Sequence, residues 1–109
     1  MIKLRYIILF FNILTSCVFA SSLKKEFRST WVITWEYITS SQNADETMNR
    51  IDQIMDNHVT ANMNAVFFQV RQSGTSYYSS SYEPWGYYAG YEYPGFDPLL
   101  YAVNSAHNL

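Results

Sequence analysis

Ala65-Val66-Phe67-Phe68-Gln69-Val70, running directly into Arg71-Gln72-Ser73-Gly74, is the stretch whose reading decides the fold. Val and Phe fill nearly every position and no polar residue alternates with them before Gln69. The run therefore predicts a strand buried on both faces, as in a parallel sheet covered by helices. Polar side chains gather at its C-terminal end, where α/β folds hold their ligands. Gln69, Arg71 and Ser73 alternate there, and a period of two aims all three toward one side, the mouth of the sheet.

The loop that follows is long and aromatic. Seven of the ten tyrosines, Tyr77 to Tyr93, fall in it together with Trp85, interleaved with serines and glycines. A core does not absorb so many hydroxyls at this spacing, so part of the loop is expected to face solvent or a ligand. Beyond it, Asp97 is placed to cap a helix with Pro98 at its first position, and Leu99, Leu100, Val103 and Ala106 form the expected buried stripe. That helical pattern runs to Leu109 without a stop signal, which gives the expectation of a truncated chain.

Upstream, Phe27 to Trp35 is rich in β-branched and aromatic residues and predicts the first strand, with Glu36 at its C-terminal end. Thr39-Ser40-Ser41-Gln42-Asn43 breaks the pattern; Asn43 with Glu46 three residues on is a capping box. Met48, Ile51, Ile54, Met55 and Val59 then recur at helical spacing, a helix of roughly four turns. Strand, helix, strand, with a helix long enough to cross back, is a βαβ unit with a parallel sheet. The fold class is α/β.

The N-terminus has the three parts of a secretory signal: Lys3 and Arg5, an apolar run from Tyr6 to Leu14, and small residues after it. Residues 1–20 are thus expected to direct export, to the cell envelope or beyond, and 21–109 to form the domain. Two processing sites compete. Val18-Phe19-Ala20 suits ordinary signal peptidase, whereas Leu14-Thr15-Ser16-Cys17 has the form of a lipobox, with Cys17 acylated and anchored to a membrane. Cys17 is the single cysteine, so the domain is expected to lack disulfides and thiolate metal clusters.

Among 109 residues, 49% hydrophobic and 15% charged content argue against disorder. Losing Lys3 and Arg5 leaves five basic and nine acidic residues, a net charge of −4, which argues against a nucleic-acid partner. His58 and His107 lack a second ligand at metal spacing, and neither a Gly-rich phosphate loop nor a Ser-His-Asp set is present, so no metal or cofactor is expected.

Glycoside hydrolysis needs two carboxyl groups flanking the scissile bond. Glu36, directly after a strand, and Glu83, set between Tyr82 and Pro84-Trp85, are the catalytic candidates; Asp97 is explained by its helix cap and Glu92 by solvent. Gln69, Arg71 and Ser73 are candidate hydrogen-bonding groups for sugar hydroxyls, with an Arg71 salt bridge that braces the loop as the competing reading. Tyr77, Tyr82 and Trp85 are the candidate rings for stacking on pyranose faces, while at least half of the loop aromatics are expected simply to pack. Arg28, at the start of the first strand, belongs to the opposite, stability end.

Glu26-Phe27-Arg28, Trp31-Val32-Ile33-Thr34-Trp35, Asn62-Met63-Asn64-Ala65-Val66-Phe67-Phe68-Gln69-Val70-Arg71, Tyr82-Glu83-Pro84-Trp85, Pro94-Gly95-Phe96-Asp97-Pro98-Leu99 and Ala106-His107, in this order, resemble the glycosyl hydrolase-like 10 family. The resemblance implies a (β/α)8 barrel in an exported or lipid-anchored bacterial protein that hydrolyses a polysaccharide, with cell-wall glycan the expected substrate. A barrel of this type runs to about 250 residues, so the residues here would supply two βα units of eight. Two further readings stay open from the residues alone: a non-catalytic exported carbohydrate-binding or envelope protein, and an inactive fragment.

Overall fold

The computed structural model describes residues 26–109. The expected signal segment, 1–20, with its lipobox Cys17, lies outside the described residues.

Two parallel strands, β1 (Ser29–Val32) and β2 (Ala65–Phe68), pair in the register Ser29 with Ala65 through Val32 with Phe68. A helical turn, α1 (Thr34–Tyr37), and a long helix, α2 (Ala44–Thr60), connect them. The expected capping box starts α2: the Asn43 side chain accepts from the Glu46 amide and the Glu46 carboxylate from the Asn43 amide, both at 2.9 Å. After β2 comes a two-stranded antiparallel hairpin, β3 (Arg71–Gln72) and β4 (Thr75–Ser76). The tyrosine loop follows, with one 3-10 turn (Tyr87–Ala89), and then α3 (Pro98–His107).

The core lies where α2 and α3 cover one face of the strand pair. Val32, Ile51, Ile54, Met55 and Ala102 are buried there, with Val66 and Phe68 against them. Full burial of a side chain such as Ile51 or Met55 stabilises by about 1.5–3 kcal/mol. A polar clasp fixes the phase of α3. The Tyr101 and Ser105 hydroxyls, one turn apart, donate to the two carboxylate oxygens of Asp52 on α2 at 2.7 and 2.6 Å. That clasp turns Pro98 and Ala102 inward and leaves Leu100 and Val103 exposed, so the expected Leu99-Leu100-Val103-Ala106 stripe is displaced around the helix.

Two other expectations differ from the structure. The first strand stops at Val32, because Thr34–Tyr37 winds into α1 and so buries Tyr37 flat against Phe68, ring centroids 4.2 Å apart, with its hydroxyl donating to the Gln69 carbonyl at 2.8 Å. Burial pushes the Tyr37 hydroxyl well above the ordinary tyrosine range. The second strand is covered on one face instead of two. Phe67 is exposed on the other, stacked with Trp31 at 5.9 Å and edge-on to Phe27 at 5.8 Å, both also exposed.

At the N-terminal end of the strands the residues of the Asn62-Met63-Asn64 block act on backbone. Asn62 takes a left-handed φ of 57°, and its carbonyl accepts from the Arg28 guanidinium at 2.6 Å. The Asn64 side chain accepts from the Arg28 amide at 2.9 Å and donates to the Glu26 carbonyl at 2.6 Å, in place of a strand neighbour. Arg28 therefore stands at the end assigned to stability.

Candidate functional site

The loops beyond the C-terminal ends of β1 and β2 meet on one side of the molecule. Gln69 ends β2: its amide donates to the Val32 carbonyl, and its side-chain oxygen accepts from the Thr34 amide at 3.4 Å. Gln72 receives the buried Thr34 hydroxyl, a contact not anticipated from the sequence. The two strand ends are thus tied by amide side chains.

The period of two that would align Gln69, Arg71 and Ser73 stops at Phe68, because the chain leaves the sheet at Gln69 and re-enters as the β3–β4 hairpin. Ser73 and Gly74 take φ of 51° and 73°, the two left-handed residues that a tight hairpin turn requires. Ser73 is exposed at that tip, Gln69 is engaged between the strands, and only Arg71 projects from the hairpin toward the loop.

There it meets Glu83. The Arg71 Nε lies 2.7 and 2.9 Å from the two carboxylate oxygens, and a terminal guanidinium nitrogen lies 2.6 Å from Oε1. The guanidinium hydrogen-bonded to it holds the Glu83 carboxyl below the ordinary glutamate range, against a smaller opposing effect of burial. Glu83 is ionised at neutral pH and is unsuited to donate a proton. The Ser80 hydroxyl accepts from the Tyr82 and Glu83 amides at 3.1 and 3.2 Å and so shapes the turn that presents the carboxylate.

Below this pair the loop is strapped to the fold. The Ser76 amide donates to the Pro84 carbonyl at 2.9 Å and the Gly86 amide to the Ser76 carbonyl at 3.1 Å, so Trp85 bridges onto β4. Tyr77, a candidate stacking ring, is 1% exposed and forms part of the core, so it offers no face to a ligand here. Its hydroxyl accepts from the Tyr88 amide at 3.4 Å, and its ring covers Gly86 so closely that a Cβ there would collide with it. Trp85 is half-buried against Tyr93, ring centroids 5.6 Å apart. Tyr82 is 96% exposed.

Glu36 lies on α1, exposed, with its carboxylate accepting from the Ile33 amide at 3.2 Å and its carbonyl from Arg50 at 2.9 Å. It caps the helical turn. Asp97 caps α3 through Leu100 at 3.0 Å and holds the loop through the Ser79 amide at 2.9 Å. Burial raises its carboxyl pKa, but these hydrogen bonds outweigh it and hold the group below the ordinary aspartate range.

The helix that carries His58 uses it internally: Nδ1 donates to the Ile54 carbonyl at 2.7 Å and Nε2 meets the Thr30 hydroxyl at 2.5 Å. No cluster of His, Cys, Asp and Glu fit to hold a metal occurs among the described residues. A hollow of about 670 Å³ lies away from the loops, along the open edge of β2 between Met55, Val66, Phe68, Leu99 and Ala102. No helix of the described residues is long and apolar enough to cross a membrane.

No family model matches this chain. The sequence is 28% identical over 91 residues to the glycosyl hydrolase YngK of Bacillus subtilis (strain 168), an alignment that takes in 76% of this chain and 18% of that protein. The chain thus spans less than a fifth of the relative's length. This likeness supports a distant glycosyl hydrolase-like relationship.

Proposed function

We propose that this chain forms the opening two βα units of a (β/α)8 barrel in an exported glycoside hydrolase acting on a polysaccharide, with bacterial cell-wall glycan as substrate. The observation that carries the reading is the Arg71–Glu83 pair, held beyond the C-terminal end of a parallel strand, where barrel enzymes place their chemistry. The likeness to a glycosyl hydrolase supports the reaction class. The uncovered Phe27-Trp31-Phe67 face fits a barrel interior, and the slot along the edge of β2 fits a third strand.

In this reading Glu83, ionised and oriented by Arg71, serves as nucleophile, base or stabiliser of the positive charge that develops at the anomeric carbon. The proton for the leaving oxygen comes from a second carboxyl. Residues 1–20 direct the protein out of the cytoplasm, and Cys17 or the Ala20 site sets whether it is anchored. Incubation with purified cell-wall glycan tests the proposal. Glu83→Gln is expected to lower release of reducing ends by roughly a hundredfold; release at the wild-type rate removes Glu83 from the mechanism.

A second reading, glycan binding without hydrolysis, draws on one specific observation. Both carboxylates proposed for catalysis, Glu36 and Glu83, already have partners inside the fold. Saturable glycan binding with no product released selects this reading.

A further inference from the structure

The candidate rings chosen from the sequence do not include the aromatic surface that the fold assembles. Trp35, on α1, lies 5.9 Å from Tyr88; Tyr88 lies 5.2 Å from Tyr87, and Tyr87 lies 6.0 Å from Tyr91. These four rings come from two different loops that meet at the C-terminal ends of β1 and β2. Gly90 lies at the junction, where a Cβ would stand 3.5 Å from that of Ser40, an ordinary contact distance. Trp35 is 47% exposed, and Tyr87 and Tyr91 are each 65% exposed. Among the described residues, the hydroxyls of Tyr87, Tyr88 and Tyr91 make no hydrogen bond.

Tyr91 adds a second observation. Its φ of 61° is left-handed, an uncommon conformation for a bulky side chain. Local turn bonds hold it there: the Tyr91 amide donates to the Gly86 carbonyl at 3.0 Å and that of Gly90 to the Tyr87 carbonyl at 2.9 Å. What this arrangement achieves is a ring held edge-on to Tyr87 and mostly in solvent, so burial does not offset the strain. Strain maintained for an exposed group is characteristic of ligand sites.

We infer that Trp35, Tyr87, Tyr88 and Tyr91 form a sugar-binding subsite that stacks a single soluble β-linked pyranose chain. This deepens the proposed function and rests on it. Equatorial hydroxyls leave the axial C–H groups of such a sugar as an apolar face for a ring, while its edge hydroxyls meet the free phenols. The interplanar angles of 80° for Tyr87 on Tyr88 and 74° for Tyr91 on Tyr87 give a stepped surface. Such a surface follows one flexible chain and does not match the flat face of a crystalline polysaccharide.

Calorimetric titration of the full chain with chitotetraose and with cellotetraose, two soluble β-1,4-linked pyranose chains, tests the inference. Trp35→Ala and Tyr91→Gly are each expected to weaken binding at least tenfold, while Leu100→Ala, exposed on α3, leaves it unchanged. Tyr91→Gly removes the strained side chain and is expected to keep or raise the melting temperature, which a purely structural tyrosine would not do. Binding by the wild type that both variants retain overturns the subsite and leaves the glycan-acting reading standing. Failure of the wild type to bind either sugar overturns the subsite, and release of reducing ends from cell-wall glycan, measured separately, decides the reading on which it rests. Sedimentation that shows a wild-type dimer made monomeric by both variants, with glycan affinity unchanged, overturns the subsite in favour of a self-association surface.

Discussion

Two arginines stand at opposite ends of the same parallel strand pair and are used differently. Arg28, at the N-terminal end, donates to the Asn62 carbonyl, its own amide donates to the Asn64 side chain, and it meets the Glu26 carboxylate only through one long contact of 3.5 Å. Arg71, beyond the C-terminal end, has an ionisable carboxylate as its partner and stays largely in solvent. Hydrogen bonds to backbone lock chain segments that are far apart in sequence and add stability regardless of pH. A two-pronged pair between exposed charges adds little stability in water but fixes the direction and charge of a carboxylate. The end that holds the fold together and the end proposed to meet a ligand are separated by the length of one short strand.

The largest expected effect tests whether the C-terminal end has a rigid floor. Tyr77→Ala removes a buried ring beneath the loop and is expected to destabilise by about 3–5 kcal/mol in denaturant unfolding; a loss below about 1 kcal/mol would mean that the loop is not anchored through it. Next comes the N-terminal clasp. Asn64→Ala leaves the Arg28 amide and the Glu26 carbonyl without their partner, and about 1–3 kcal/mol should be lost. Glycan affinity should stay at the wild-type value; a parallel drop would erase the contrast between the two ends.

The smallest effect on stability, and the sharpest on the comparison, belongs to Arg71→Ala. Its melting temperature should match the wild type, while the Glu83 carboxyl, followed by carbon NMR through a pH titration, should titrate higher, back toward the ordinary glutamate value. The sign follows from the depressed folded pKa. The pair contributes fully above the unfolded glutamate value, and its contribution is lost as pH falls through the lower folded value. An unchanged Glu83 midpoint in Arg71→Ala would show that the guanidinium does not set that charge.

Much of the frame was legible in the residues because it depends on local rules. The Asn43–Glu46 box, the Asp97-Pro98 helix start and the strand, helix, strand order all follow from capping, φ restriction and apolar spacing. Arg71's place beyond the C-terminal end of β2 was legible, and its salt bridge as one of two readings, but its partner was not. Glu83 comes to Arg71 only because the Ser73-Gly74 turn folds β4 back and Ser80 turns the chain again. Tyr77, expected as a ligand-facing ring, and Trp35, expected within the first strand, stand elsewhere for a related reason. A tyrosine in a serine-rich loop looks solvent-facing, and a tryptophan in a β-branched run looks buried. The winding of α1 lifts Trp35 out beside Tyr88, and the strapping of the loop onto β4 buries Tyr77 over Gly86.

The sequence by itself determined the α/β order, the helix starts and the tyrosine-rich loop, since each of these depends on composition or on neighbours a few residues apart. Only the tertiary structure decided which rings are buried and which are presented, and which carboxylate an arginine holds. Those outcomes depend on where separate loops meet in space. Burial of Tyr37 and Tyr77 and the strapping of Ser76 to Pro84 and Gly86 fix that meeting point, and spacing along the chain carries no record of it.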